Sequence, residues 1–189
     1  MTPILLQGPA IEPVSLTEAR NWLRITATIE DELIQALVTS ARLVIEAQTQ
    51  LLLIEQSWRL LLDAWPKESV LALPLRPVLS IDAIRIHDAI GGISLVPPES
   101  VTLYGDPMAP RVSFAVRPPA PGRYPSGIEV DLRAGFGAAA STVPEPLKLS
   151  ILILTARWFE NRGDAADDST HLPAEVSKLI APWRKWRLV

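Results

Sequence analysis

The two histidines are the first candidates for chemistry in this sequence, because histidine is the usual base or metal ligand near neutral pH. His87 and His171 lie in different regions, and neither has a second ligand at helical or turn spacing. A zinc site needs three or four ligands, so this spacing predicts no metal site. We expect His87 to be an exposed strand residue and His171 a loop residue. A hydrolase that uses one of them as its base stays open as an alternative, although the chain has no G-x-S-x-G nucleophile elbow.

An acidic loop and a glycine-rich run are the remaining candidates for a ligand site. Asp164, Asp167 and Asp168 lack the alternating oxygen ligands, central glycine and terminal glutamate of an EF-hand, which predicts a solvated loop. The run RAGFG, residues 133–137, has neither the G-x-G-x-x-G spacing nor the P-loop lysine. It is typical of a connection between a strand and a helix. We therefore expect no catalytic residue, no metal and no cofactor.

The C-terminus carries a basic and aromatic cluster that contrasts with the rest of the chain, and its last twelve residues contain no acid. Tryptophan and arginine are enriched at the energetic hot spots of protein interfaces, which favours a docking segment. Two alternatives stay open. In the first, the segment binds single-stranded nucleic acid, as basic grooves with stacking aromatics do. In the second, the segment is structural and Trp183 completes a buried helical stripe. The candidate docking residues are Trp183, Arg184, Lys185, Trp186 and Arg187.

The composition describes a folded protein with no global attraction for nucleic acid. Hydrophobic residues make up 48% of the 189 residues and charged residues 21%, which excludes wholesale disorder. The formal net charge is -3, so a dedicated DNA-binding domain is not expected. No uncharged apolar stretch approaches the roughly 18 to 20 residues that span a bilayer, and the N-terminus lacks the basic start of a signal peptide. The absence of cysteine is compatible with folding in a reducing cytoplasm.

Two helices are predicted near the N-terminus. Ser15 followed by Glu18 fits a capping box that opens a short helix to about residue 25. Thr28 with Asp31 repeats this signal before a second helix that runs to about residue 48. The second helix has an apolar stripe at 3.6-residue spacing, formed by Leu33, Ile34, Leu37, Val38, Ala41, Val44 and Ile45.

Two further helices are predicted near the C-terminus. Prolines open the first of them, which we expect to end at Gly163 as its C-cap. The last helix begins at about Pro173, and Pro182 must end or kink it because proline clashes with the preceding turn. The stripe of the longer helix consists of Leu147, Ile151, Leu154, Thr155 and Trp158.

The segment between these helix pairs has the composition of short strands and turns. Of the 18 prolines, 13 lie between Pro66 and Pro146, which excludes long helices there. Short apolar or alternating runs predict six strands, at about 57–62, 69–73, 83–88, 93–96, 111–116 and 128–132. We therefore predict an α+β fold. It has a helical core over 14–54 and 141–189, made of two N-terminal and two C-terminal helices, and a β-rich antiparallel insertion over 55–140.

The order of several segments resembles one known family. In sequence they are PVSLTEARNWLRI, EDELIQALVTSARLVIEAQTQ, IEQSWRLLLDAWP, VDLRAGFG, VPEPLKLSILILTARWFENR and the C-terminal P-x-x-V-x-x-L-I-A-P-W-R. Their arrangement over residues 13 to 187 resembles the head-tail connector (adaptor) family of long-tailed phages, prophages and gene transfer agents. The SLTEAR opening, the EQSW-x-L segment, the AGFG-to-PEPL junction and the ARWFENR helix are the most specific pieces.

The resemblance implies a structural adaptor of the virion neck, assembled in the host cytoplasm, and not an enzyme. Members of the family form a ring, usually a dodecamer, between the portal protein and a stopper or tail terminator protein. DNA passes through the central channel without sequence-specific binding, and no membrane is involved. The portal-docking role falls on the C-terminal cluster, and subunit contacts are expected at Trp22, Leu33, Leu37 and Arg42. A small nucleic-acid-binding module that uses the basic tail is the alternative function.

Overall fold

The structure, a computed structural model, describes residues 1–68, 70–161 and 172–184. These residues form four α-helices and eight antiparallel strands in two sheets, which confirms the predicted α+β class. The chain divides into two compact units. Residues 1–10 and 55–136 form one, here called the β unit, and residues 11–54 and 137–189 form the other, the helical unit. The predicted acidic loop and His171 lie outside the described residues.

The described part of the β unit consists of two antiparallel sheets. The larger sheet has the strand order β1-β2-β8-β4-β5, and the smaller has the order β3-β7-β6. From the N-terminus the strands are β1 (Thr2–Gln7), β2 (Gln56–Leu62), β3 (Val70–Ala72), β4 (Val78–His87), β5 (Ile93–Leu95), β6 (Val101–Tyr104), β7 (Arg111–Phe114) and β8 (Ile128–Ala134).

Strand β8 lies at the centre of the larger sheet, between β2 and β4. Its residues alternate in character, so Ile128, Val130 and Leu132 are at most 1% exposed. Glu129 and Asp131 alternate with them and therefore lie on the opposite face of the sheet. The core of the β unit thus forms on one face of this sheet, and the other face carries charge.

Each of the six predicted strands corresponds to a strand of the structure, and two strands, β1 and β6, were not predicted. Every residue of β1 is exposed, so its sequence shows none of the alternation that a half-buried strand requires. Strand β6 has only four residues and follows directly on a 3-10 turn at Pro98–Ser100. Strand β1 forms by pairing with β2, a distant segment that local sequence does not record, whereas β6 pairs with β7, the next strand along the chain.

The helical unit contains α1 (Leu16–Leu23), α2 (Asp31–Thr49), α3 (Glu145–Glu160) and α4 (Ala174–Ile180). The capping box on α1 is confirmed, because the Ser15 hydroxyl accepts the Glu18 N–H while the Glu18 carboxylate accepts the Ser15 N–H. These bonds from Ser15, the backbone one foremost, hold the pKa of the Glu18 carboxyl below its ordinary value.

Two predicted helix ends are wrong. The second capping box does not form, because Glu30 occupies the N-cap of α2 without a side-chain capping hydrogen bond, and the Asp31 carboxylate lies 3.5 Å from Arg20 Nη1. Helix α3 ends at Glu160, with Asn161 as its C-cap in place of Gly163, which lies outside the described residues. The expected break at Pro182 is confirmed, since α4 stops at Ile180 and a 3-10 turn follows.

The helical core forms where one face of α2 packs against α3, with α4 on α3 and α1 on both α2 and α3. Four of the seven residues in the predicted stripe of α2 are buried, and four of the five in the predicted stripe of α3. The buried side chains include Ile34, Val38, Ala41 and Ile45 of α2, Leu147, Ile151, Leu154 and Thr155 of α3, and Val176 and Ile180 of α4. None of the described helices is long and apolar enough to cross a membrane.

Candidate assembly surfaces

The described part of the C-terminal cluster is anchored to its own helical unit. Trp183 ends the 3-10 turn and is half-buried, and Arg184 Nη2 donates a hydrogen bond to Gln48 Oε1 of α2 at 2.9 Å. Lys185, Trp186 and Arg187 lie outside the described residues. The first two of the five candidate docking residues are therefore fixed by contacts within the chain.

An apolar groove of about 660 Å³ opens between α1, α3 and α4 of the helical unit. Six of its ten lining residues are apolar, and Trp22 of α1, one of the predicted subunit-contact residues, lies at its side with 47% of its surface exposed. The polar residues on its border include Lys148, which is paired with Glu145 at 2.8 Å. Its principal apolar lining residues are Val14, Trp22, Pro146, Leu149, Leu152 and Leu179.

Helix α2 has a second apolar stripe on the side opposite its buried face. Leu33 is 37% exposed and Leu43 is 53% exposed, and Leu37 between them is half-buried. Ala36, Ser40 and Ala47 are exposed on the same side at helical spacing. No charged residue belongs to this stripe, here called the α2 ridge: Leu33, Ala36, Leu37, Ser40, Leu43 and Ala47. Of the predicted contact residues, Leu33 is thus exposed and Leu37 is half-buried, although both belong to the single apolar stripe that the sequence predicted for this helix.

Arg42, the fourth predicted contact residue, is not on the surface. Arg42 is only 6% exposed, and its guanidinium lies 2.7 Å from both Glu12 Oε2 and Glu46 Oε2. Glu46 in turn accepts the Leu53 N–H at 2.9 Å. Arg42 therefore joins the segments that precede and follow the first two helices of its own chain, and we withdraw it as a contact residue.

A ladder of ion pairs covers the charged face of the larger sheet. Asp131 of β8 receives a bidentate pair from Arg59 of β2, at 2.6 and 2.9 Å, and a further bond from Arg85 of β4. The hydrogen bond from Arg59 is the largest cause that holds the pKa of Asp131 below its ordinary value. Glu129, one position along the same face, lies 3.3 Å from Arg59 Nη1. The acids of β8 are thus neutralised by the neighbouring strands, as a stable sheet face requires.

The prediction that His87 is exposed is wrong. His87 ends β4, is 7% exposed, and its Nε2 lies 2.9 Å from Glu129 Oε1. Burial follows from its position beside the 121–127 segment, since the His87 carbonyl accepts the N–H groups of Gly122 and Arg123. Within the described residues no group of three or more His, Cys, Asp or Glu side chains is arranged to hold a metal.

The RAGFG run forms a connection, as its sequence suggested. Gly135 has φ of 137° and its N–H donates to the Pro77 carbonyl at 2.8 Å. At Gly137, with φ of 150°, an added Cβ would approach the Thr142 side chain to 2.9 Å. The two glycines therefore serve the positive φ and the close packing of a turn.

Comparison with solved structures finds matches over the full length of the chain. A chain from the neck of an empty gene transfer agent particle, computed with C6 symmetry, is 29% identical with a TM-score of 0.82, covering 100% of this chain and 98% of that one. A chain from the virion of a native gene transfer agent particle is 30% identical, with the same TM-score and coverage. A chain from the native neck, computed with C12 symmetry, is 29% identical with a TM-score of 0.79, covering 98% and 97%.

A scan against models of protein families and a search of curated proteins find no match. These matches indicate the class of this chain, which is a structural protein of a virion. At 30% identity over the full length, the chain belongs to the family of virion neck proteins of gene transfer agent particles. The predicted localisation in the virion neck is confirmed.

Proposed function

We propose that this chain is the adaptor of the neck: a non-enzymatic protein that forms a ring between the portal and a stopper or tail terminator protein and leaves a central channel for DNA. The observation that carries the proposal is the full-length likeness to neck chains whose structures were computed with C12 and C6 symmetry. Both symmetries accommodate twelve copies in one ring, which agrees with the dodecamer that the sequence resemblance implies.

The charge of the chain supports passage of DNA in preference to its retention. Twelve copies, each with a net charge of -3, would carry a total of -36. DNA binds tightly where lysine and arginine neutralise its phosphates and release counterions. A ring with a net negative charge lacks that driving force, so the polyanion moves through it.

The portal is the partner that we assign to the C-terminal cluster, Trp183 to Arg187. The Arg184 bond to Gln48 fixes the start of this segment on α2. Tryptophan and arginine supply large contact areas and charge-assisted hydrogen bonds, which dominate binding energy at interfaces.

Electron microscopy of this chain mixed with its portal tests the proposal. We expect an added ring on the narrow end of the portal, with twelvefold symmetry and an open centre. A portal that shows no added density at saturating concentrations of the chain would contradict the adaptor role. Steeply salt-dependent binding of DNA by the isolated chain would instead favour a nucleic-acid-binding module.

A further inference from the structure

We infer that neighbouring subunits of the ring meet by inserting the α2 ridge of one copy into the apolar groove of the next. The inference rests on the proposed function, because it names the partner surface of a ring whose existence that proposal supplies. The occupant of the groove is a second copy of this chain.

Ring symmetry demands two different surfaces on each subunit. A cyclic ring of more than two copies is closed by heterologous contacts, in which one patch of a subunit meets a different patch of its neighbour. The described residues of the helical unit offer two apolar surfaces of this kind: the α2 ridge, and the groove between α1, α3 and α4. No residue of α2 lines the groove, so the two surfaces are distinct.

The chemistry of the two surfaces matches. The α2 ridge contains no charged side chain, so covering it leaves no charge unpaired. Six of the ten residues that line the groove are apolar, including the half-exposed Trp22, and the other four are the polar or charged Glu18, Asn21, Glu145 and Lys148. Large exposed apolar side chains at helical spacing are the usual means by which a helix binds in a groove. Leu33 and Leu43 supply them on the ridge.

A covalent ladder tests the pairing directly, because the chain has no cysteine of its own. Ser40 lies at the middle of the ridge and Asn21 on the border of the groove, and both are exposed. The double variant Ser40→Cys with Asn21→Cys keeps the apolar contacts of both surfaces. When it is assembled on portal-bearing heads and treated with a short bis-maleimide, we expect covalent multimers that continue beyond the dimer.

The matched control moves one cysteine off the ridge. Gln35 is exposed on the same helix but lies about 140° around its axis from the centre of the ridge. Gln35→Cys with Asn21→Cys should therefore give no ladder. If the Ser40 and Asn21 pair cross-links no further than this control, while the wild type shows a ring in the microscope, the inference is wrong and the proposed function stands. If the wild type forms no ring, both fall.

Inserting a charge into each surface in turn distinguishes a contact between the α2 ridge and the groove from a contact between two α2 ridges. Leu43→Glu and Trp22→Glu, both at exposed sites, should each lower the yield of rings at least about tenfold, whereas Gln35→Glu should not. Mixing the two defective variants leaves one intact ridge and one intact groove, so the mixture should form dimers and stop. Loss of rings by Leu43→Glu alone, with Trp22→Glu unaffected, would overturn the pairing.

Discussion

Arg42 and Glu46 face each other across one turn of α2, with Arg42 Nη1 2.7 Å from Glu46 Oε2 and their side chains only 7% and 10% exposed. The other Glu46 oxygen accepts the Leu53 N–H, and Arg42 also pairs with Glu12. One buried charge pair therefore joins three segments of the helical unit. Because both groups are out of water, each depends on the other for compensation.

Replacing Arg42 by methionine should destabilise the chain by about 3 kcal/mol, because the Glu46 carboxylate is left buried without its cation. Unfolding in urea measures the change. The double variant Arg42→Met with Glu46→Leu removes both charges, and we expect it to recover most of the loss. Equal destabilisation by the single and double variants would contradict a role for the pair.

Glu46 should make stability fall as the pH rises. Burial raises the pKa of its carboxyl above the ordinary 4.5, although the Leu53 N–H and Arg42 oppose the shift. Because the pKa is raised in the folded state, the contribution of Glu46 to the free energy of unfolding is complete below pH 4.5. It is lost as the pH rises through the pKa of the folded state. Urea unfolding of wild type and Glu46→Gln across this range should show the wild type losing stability relative to the variant. A constant difference would contradict the assignment.

Asp131 should behave in the opposite sense. Its pKa is lowered from the ordinary 3.8, chiefly by the hydrogen bond from Arg59, so its contribution is present above that value and is lost as the pH falls through the lower folded value. Asp131→Asn should cost about 1 to 2 kcal/mol at pH 7, because Arg59 and Arg85 lose their shared partner. The difference between wild type and variant should shrink at acid pH, and a difference that grows there would contradict the ladder.

Gly122 should be intolerant of a side chain. A Cβ at this position would lie 2.4 Å from the Ala89 backbone nitrogen, whereas a Cβ on Gly8 would meet nothing within 4 Å. Gly122→Ala should therefore cost about 2 kcal/mol in urea unfolding, since backbone atoms must move apart. Gly8→Ala is the control and should change stability by less than about 0.5 kcal/mol. Equal effects of the two substitutions would contradict the close contact between Gly122 and the backbone of Ala89.

Truncation after Arg184 should separate attachment from folding. The shortened chain keeps the half-buried Trp183 and the Arg184 bond to Gln48, so its thermal unfolding should match that of the full chain. Its co-sedimentation with portal should be lost, because Lys185, Trp186 and Arg187 are removed. Unchanged co-sedimentation would contradict the assignment of the portal contact to this segment.

Local signals in the sequence predicted the elements that local interactions form. The Ser15 and Glu18 capping box and the alternation along β8 needed only neighbouring residues, and both are confirmed. Strand β1 was missed because its partner, β2, begins at Gln56, nearly fifty residues later. His87 was placed on the surface because a single strand does not show which segment will cover it.

The candidate surfaces were predictable only in part. Trp22 and Leu33 are exposed, as a subunit contact requires, although their role stays a prediction. Arg42 was wrongly predicted to lie on the surface because its guanidinium lies between Glu12 and Glu46. Helical spacing shows only the pair with Glu46, four residues later, and not the pair with Glu12. The groove was not predicted, since its walls come from three helices distant in sequence.

The discontinuity of both units has a consequence for synthesis. The apolar strand β1 leaves the ribosome about fifty residues before β2, which at about 5 to 20 residues per second is a delay of roughly 3 to 10 s. During that interval Ile4, Leu5 and Leu6 have no strand to pair with. A shielding chaperone in the expression host should therefore raise the soluble yield of this chain.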